Sequence, residues 1–127
     1  MKHEDLIGQK VLITGGPKAG KTTFAGPDAK HTDDLIETLK WSEQSEAVSH
    51  WFDEEGPWII EGVSIPRALR KWLERNPEGK PADVLLYLNG SKIPLNEGQQ
   101  KMYLSVRTVF NEVKPELIKR EVRIVEQ

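Results

Sequence analysis

Short apolar runs alternate along the chain with amphipathic stretches, and glycine or proline marks most of the junctions. Lys10–Thr14 (KVLIT) and Asp83–Leu88 (DVLLYL) are continuous apolar runs of strand length, the pattern of strands buried on both faces of a parallel sheet. Ala29–Thr32 reads as a brief second strand, and Trp58–Glu61 (WIIE) as a strand stopped by Gly62. Glu121–Val125 (EVRIV) shows the alternation of a last, half-exposed strand. Helical signals fill the gaps. One helix starts near Lys21 and is cut short by Gly26-Pro27, a second covers roughly Asp34–Leu39, and a third takes Ser42 as its N-cap and reaches Phe52. Ser64-Ile65-Pro66 is a helix entry with proline in the first turn, where its missing N–H costs nothing. Ala68, Leu69, Trp72 and Leu73 follow at helical spacing, and Asn76-Pro77 ends that helix. Asn96 caps a longer one running to about Val113, with Met102, Val106, Val109, Phe110 and Val113 on one face; Pro115 limits it, with room for a further turn beyond.

The order β-α-β-α-β-α-β-α-β predicts the α/β class: a mainly parallel sheet, right-handed crossovers, and helices on both faces. No repeat, low-complexity tract or linker divides the chain, so residues 1–127 read as one domain. Composition changes this picture only at its edges. With 37% hydrophobic and 30% charged residues, the chain is of the folding, water-compatible kind rather than disordered. A net charge of -2 argues against a large basic footprint for nucleic acid. The absence of cysteine excludes a disulfide framework and a thiolate metal site. The charged start Met1-Lys2-His3-Glu4-Asp5 has no secretory apolar segment after it, and no apolar run is long enough to span a bilayer. The expectation is a cytoplasmic protein without a membrane partner.

The chemistry sits after the first strand. Gly15-Gly16-Pro17-Lys18-Ala19-Gly20-Lys21-Thr22 satisfies G-x-x-x-x-G-K-[ST] at every fixed position, between a buried strand and a helix start. Glycines there let backbone N–H groups turn inward around an anion, and the helix N-terminus adds partial positive charge. Lys21 is placed to reach the β- and γ-phosphates of a nucleoside triphosphate, Thr22 to put its hydroxyl on Mg²⁺, and Thr23 to serve the α-phosphate. Lys18 is a second loop lysine, either on a phosphate or simply solvated.

Phosphoryl chemistry also needs acids that organise Mg²⁺ or orient the attacking group, at the carboxyl ends of neighbouring strands. Asp33 and Asp34 follow the second strand, and either could serve as base or as helix cap. Glu61 ends the third strand, between apolar residues and Gly62, and is the candidate metal-organising carboxylate. Arg67 and Arg70 lie on the next helix, Arg67 nearer the crevice. Lys92, Lys101 and Arg107 follow the fourth strand, where a lid would lie. His3, His31 and His50 lack metal-ligand spacing, although His31 stands just before Asp33. Trp58 and Trp72 read as core, and Trp41 and Trp51 as weaker candidates for a pocket wall.

With these residues in hand, the chain resembles the P-loop NTPases, and among them the small-molecule kinases acting on nucleosides, nucleotides, gluconate or shikimate. GGPKAGKTT, HTDDLIE, WIIEGVSIPRALR and DVLLYLNG match in order. The resemblance implies a five-stranded sheet of order 2-3-1-4-5, ATP or another NTP with Mg²⁺ as the bound species, an acceptor-side aspartate at Asp33 or Asp34, and an acceptor-side arginine at Arg67. The chain is shorter than such kinases, and Asn89–Gln100 lacks their arginine-rich lid. In this compact form it is similar to small P-loop proteins encoded by phages. Two functions follow as expectations: transfer of the γ-phosphate to a small hydroxyl or phosphate acceptor, or an ATPase or nucleotide-dependent switch acting on a protein or nucleic-acid partner.

Overall fold

The computed structural model describes residues 7–17, 19–21, 25, 26, 29–35, 39–91 and 93–127, without the side chains of Asp33, Asp34 and Trp41. Five strands form one sheet: β1 (Lys10–Gly15), β2 (Lys30–His31), β3 (Trp58–Glu61), β4 (Val84–Leu88) and β5 (Arg123–Glu126). Their order is β2-β3-β1-β4-β5 and every pairing is parallel, as expected. Three helices stand among the described residues: α1 (Trp41–Trp51), α2 (Ile65–Arg75) and α3 (Glu97–Lys119). None of them is long and apolar enough to cross a membrane.

The period-two alternation of the strands divides the core into two layers. Leu12, Ile60, Leu85 and Tyr87 face one side, where they meet Val48 of α1, Leu69 and Trp72 of α2, and Val106, Phe110 and Leu117 of α3. Val11, Ile13, Val84, Leu86 and Leu88 face the other side and are covered by Ala19, Ala25 and Ala29. Handedness explains the split. The β1-to-β2 connection moves along the sheet in one direction, and the three later connections move in the other. Right-handed crossovers therefore put the chain after β1 on one face and α1–α3 together on the opposite face.

Four local expectations are corrected. Thr32–Leu35 forms a 3₁₀ turn rather than opening an α-helix; the rest of the expected helix falls partly outside the described residues. Threonine and aspartate have low intrinsic helix propensity, which favours a short turn over a helix here. α1 starts at Trp41, so Ser42 lies inside the first turn. Lys40 is the cap residue, and its N–H donates to Glu43 Oε1 at 3.1 Å. α3 runs through Pro115 to Lys119, because the turn after the proline carries Leu117, which is wholly buried. β5 starts only at Arg123, since Glu121 takes φ 68° and the Val122 N–H still bonds the Leu117 carbonyl at 3.0 Å. Elsewhere the end signals hold. Asn96 and Gln99 cap α3 reciprocally, at 2.8 and 3.1 Å. Asn76 closes α2 through its amide on the Trp72 carbonyl.

Candidate functional site

The carboxyl ends of β1 and β3 lie side by side where the chain reverses its direction across the sheet, the place at which open α/β sheets bind ligands. Gly15 ends β1 opposite Leu88 of β4. A Cβ at Gly15 would stand 2.5 Å from the Leu88 carbonyl oxygen, so only glycine fits this approach. Gly20 takes φ 91°, the left-handed turn that leads into Lys21. Lys21 and Ala25 both have helical backbone, and Gly26 takes φ 87°; the rest of the expected short helix and Pro27 lie outside the described residues. The Lys21 side chain is only 7% exposed, and its ammonium donates to the Gly16 carbonyl at 2.7 Å. A buried ammonium requires such acceptors. Lys18, Thr22 and Thr23 lie outside the described residues.

The neighbouring strand ends carry the acids. Glu61 is 1% exposed and closes β3, in register with Ile13 on one side and His31 on the other. His31 Nδ1 lies 2.6 Å from Glu61 Oε1. A carboxylate can only accept, so Nδ1 carries the hydrogen and the second ring nitrogen points elsewhere. Sequence reasoning gave His31 little weight. The available signal was that both residues are the last of their strands before a turn. The backbone of Asp33 and Asp34 occupies the 3₁₀ turn directly after β2, on the same edge of the sheet.

Beyond Glu61, Gly62 and Thr32 are in direct contact, and the Gly62 carbonyl accepts from Thr14 Oγ1 at 2.8 Å. The Gln44 amide donates to the Thr32 carbonyl at 2.8 Å. Thr32 Oγ1, Gln44 Oε1 and Ser64 Oγ are buried without hydrogen-bond partners among the described residues. Polar atoms so placed are uncommon in folded chains and give this end of β2 and β3 unused hydrogen-bonding capacity.

The basic residues are drawn into the scaffold. Arg67, in the first turn of α2, donates to Ser105 Oγ of α3. Arg70 pairs with Glu112 of α3 at 3.2 Å. Arg107 donates to Asn89 Oδ1 at 3.2 Å and to Glu126 Oε1 at 2.8 Å, with its guanidinium 4.9 Å from the Tyr87 ring centroid. Lys114 takes the other Glu126 oxygen at 2.7 Å. Between these cations the Glu126 carboxyl is held below its ordinary pKa, Lys114 being the larger cause, and Arg107 is raised in turn by Glu126. Burial raises the Tyr87 hydroxyl. Lys101 makes an exposed contact with Glu97, and Lys92 lies outside the described residues. Trp72 joins the core and Trp58 packs at its margin, as expected, while Trp51 packs there too, beneath the Lys30 ammonium.

Among the described residues no group of three or more His, Asp or Glu side chains could hold a metal. A separate cavity of about 410 Å³ opens at the amino end of the sheet, lined by Lys10, Lys80, Asp83 and the Gly56-Pro57 turn. There the Lys10 N–H donates to the Asp83 carboxylate and holds its pKa below the ordinary value. That cavity is remote from the glycine-rich loop. No protein-family model matches the chain, and no curated protein or solved structure matches it significantly.

Proposed function

We propose that this protein binds a nucleoside triphosphate, ATP in the first instance, through Gly15–Thr22 and transfers its γ-phosphate to a small acceptor bearing a hydroxyl or phosphate. The observation that carries the reading is the glycine-rich loop at the switch point of the sheet, with the buried Lys21 ammonium held against its own Gly16 carbonyl. A phosphate oxygen is a stronger, charged acceptor for that ammonium than the peptide carbonyl it would replace. Mg²⁺, which prefers a few oxygen donors and completes its shell with water and substrate phosphates, would accompany the triphosphate. Thr22 and Glu61 would hold it, and its charge would stabilise the transferring phosphoryl group. Lys21 binds the phosphates. Asp33 or Asp34 orients the acceptor, and Arg67 steadies it from the first turn of α2.

A second reading, an ATPase or nucleotide-dependent switch for a protein or nucleic-acid partner, is favoured by one observation. Arg67, Arg70 and Arg107 all make contacts within the fold, to Ser105, Glu112 and Glu126. Calorimetric titration of Mg·ATP into the wild type and Lys21→Ala tests the shared premise. Saturable binding that weakens at least about tenfold in the variant supports it, one factor of ten being about 1.4 kcal/mol. No binding to folded wild type overturns it. ADP release that rises on adding nucleosides, sugars or polyols then selects the kinase, and release indifferent to all of them selects the switch.

A further inference from the structure

We infer that Tyr103 of α3 is a positioning residue for the glycine-rich loop, holding it in its anion-ready shape from outside. This rests on the reading of Gly15–Thr22 as a phosphate site. The contact is direct. A Cβ added to Gly16 would overlap Tyr103 Cδ2 and stand 2.9 Å from its Cγ and 3.1 Å from its Cβ, so the ring lies flush on the Gly16 backbone. The Tyr103 hydroxyl accepts from the Gly90 N–H at 3.2 Å, which ties the same ring to the segment leaving β4. One helical turn further on, Arg107 bonds the Asn89 side chain, so two residues of one α3 face grip Asn89-Gly90. The fold thus brings the loop after β1, the loop after β4 and α3 together at one ring.

The consequence falls on Lys21. Its ammonium is accepted by the carbonyl of Gly16, the residue on which the Tyr103 ring rests. Fixing the Gly16 peptide fixes the direction from which Lys21 approaches a phosphate. Ordering the loop before the ligand arrives removes a cost that binding would otherwise meet. A ring that acts by resting on loop backbone changes affinity equally for any ligand that presents the same phosphates. That equality separates a positioning role from base stacking.

The test uses the full chain as wild type, Tyr103→Phe and Tyr103→Leu. Mg·ATP and Mg·tripolyphosphate are titrated into each, and amide hydrogen exchange is followed without ligand. Tyr103→Phe keeps the ring and is expected to speed exchange at Gly90 while leaving both affinities within about twofold of wild type, the hydroxyl contact being one neutral hydrogen bond. Tyr103→Leu is expected to speed exchange in peptides spanning Gly15–Gly20, leave β1 and β4 protected, and weaken ATP and tripolyphosphate equally, by about tenfold, through lost preorganisation. Weaker ATP with unchanged tripolyphosphate would overturn the inference in favour of base contact. Unchanged exchange across Gly15–Gly20 in Tyr103→Leu would overturn it outright. Wild type that binds neither ligand defeats the phosphate-site reading, and the exchange comparison still decides whether Tyr103 holds the loop.

Discussion

At the scale of single residues, burial makes a few polar contacts matter. Glu61 is a carboxylate at 1% exposure, and His31 supplies one of its hydrogen bonds at 2.6 Å. Removing a partner from a buried charge costs more than the bond is worth in water, because the desolvated group is left behind. His31→Ala is expected to lower stability to urea by about 1–3 kcal/mol. The loss should shrink in a Glu61→Gln background, where no buried charge loses a hydrogen bond. Equal losses in the two backgrounds would show that the pair is not coupled. The glycine-rich loop and this pair differ in legibility. The loop's motif occupies eight consecutive positions, so spacing alone exposes it. His31 and Glu61 lie thirty positions apart and meet only because β2 pairs with β3 in one particular register.

At the scale of elements, the informative departure is Pro115. Local rules end a helix before an interior proline, whose ring displaces a backbone hydrogen bond. α3 nevertheless continues, and its last turns bury Val113 and Leu117 against the sheet and α2. Burying a leucine side chain is worth about 1.5–3 kcal/mol, comparable with the roughly 3 kcal/mol by which proline disfavours a helix interior. Pro115→Ala restores the missing donor at an exposed position and is expected to raise Tm by a few degrees, about 1 kcal/mol or more of added stability. Leu117→Ala removes the compensating anchor and is expected to cost about 2–5 kcal/mol. Thermal unfolding of both variants checks the balance. A destabilised Pro115→Ala would mean that the bend made by proline is itself part of the packing. The end signals that did hold, at Asn96 and Asn76, are those satisfied by side chains within four residues.

At the scale of the whole molecule, the sheet is closed at one edge by charge. β5 carries Glu126, and both of its oxygens are taken from α3, by Arg107 and Lys114. Its folded pKa is lowered, as is that of Asp83, whose carboxylate accepts from the Lys10 N–H. For a depressed carboxyl the stabilising contribution is present above the unfolded pKa and is lost as pH falls through the folded one. Stability should therefore decline on acidification from about pH 4, the ordinary carboxylate range, downward. Glu126→Gln should lower Tm at neutral pH and flatten this acid limb. Thermal scans between neutrality and acid check it, and parallel curves for wild type and variant would show that Glu126 does not link α3 to β5.

The amino-acid sequence by itself determined the elements whose physics is local. Continuous apolar runs marked β1 and β4, proline and asparagine marked the ends of α2, and fixed glycine and lysine positions marked the glycine-rich loop. The alternation of these elements was enough for a parallel α/β domain. Tertiary structure alone decided what depends on residues far apart in the chain. It set Tyr103 on Gly16, paired His31 with Glu61, and drew Arg67 and Arg107 into contacts with Ser105 and Glu126. It also carried α3 past its proline. The reason is common to all of these. A side chain's partner is chosen by the register of the strands and by which face of the sheet a right-handed crossover covers. Neither quantity is a property of any short stretch of sequence.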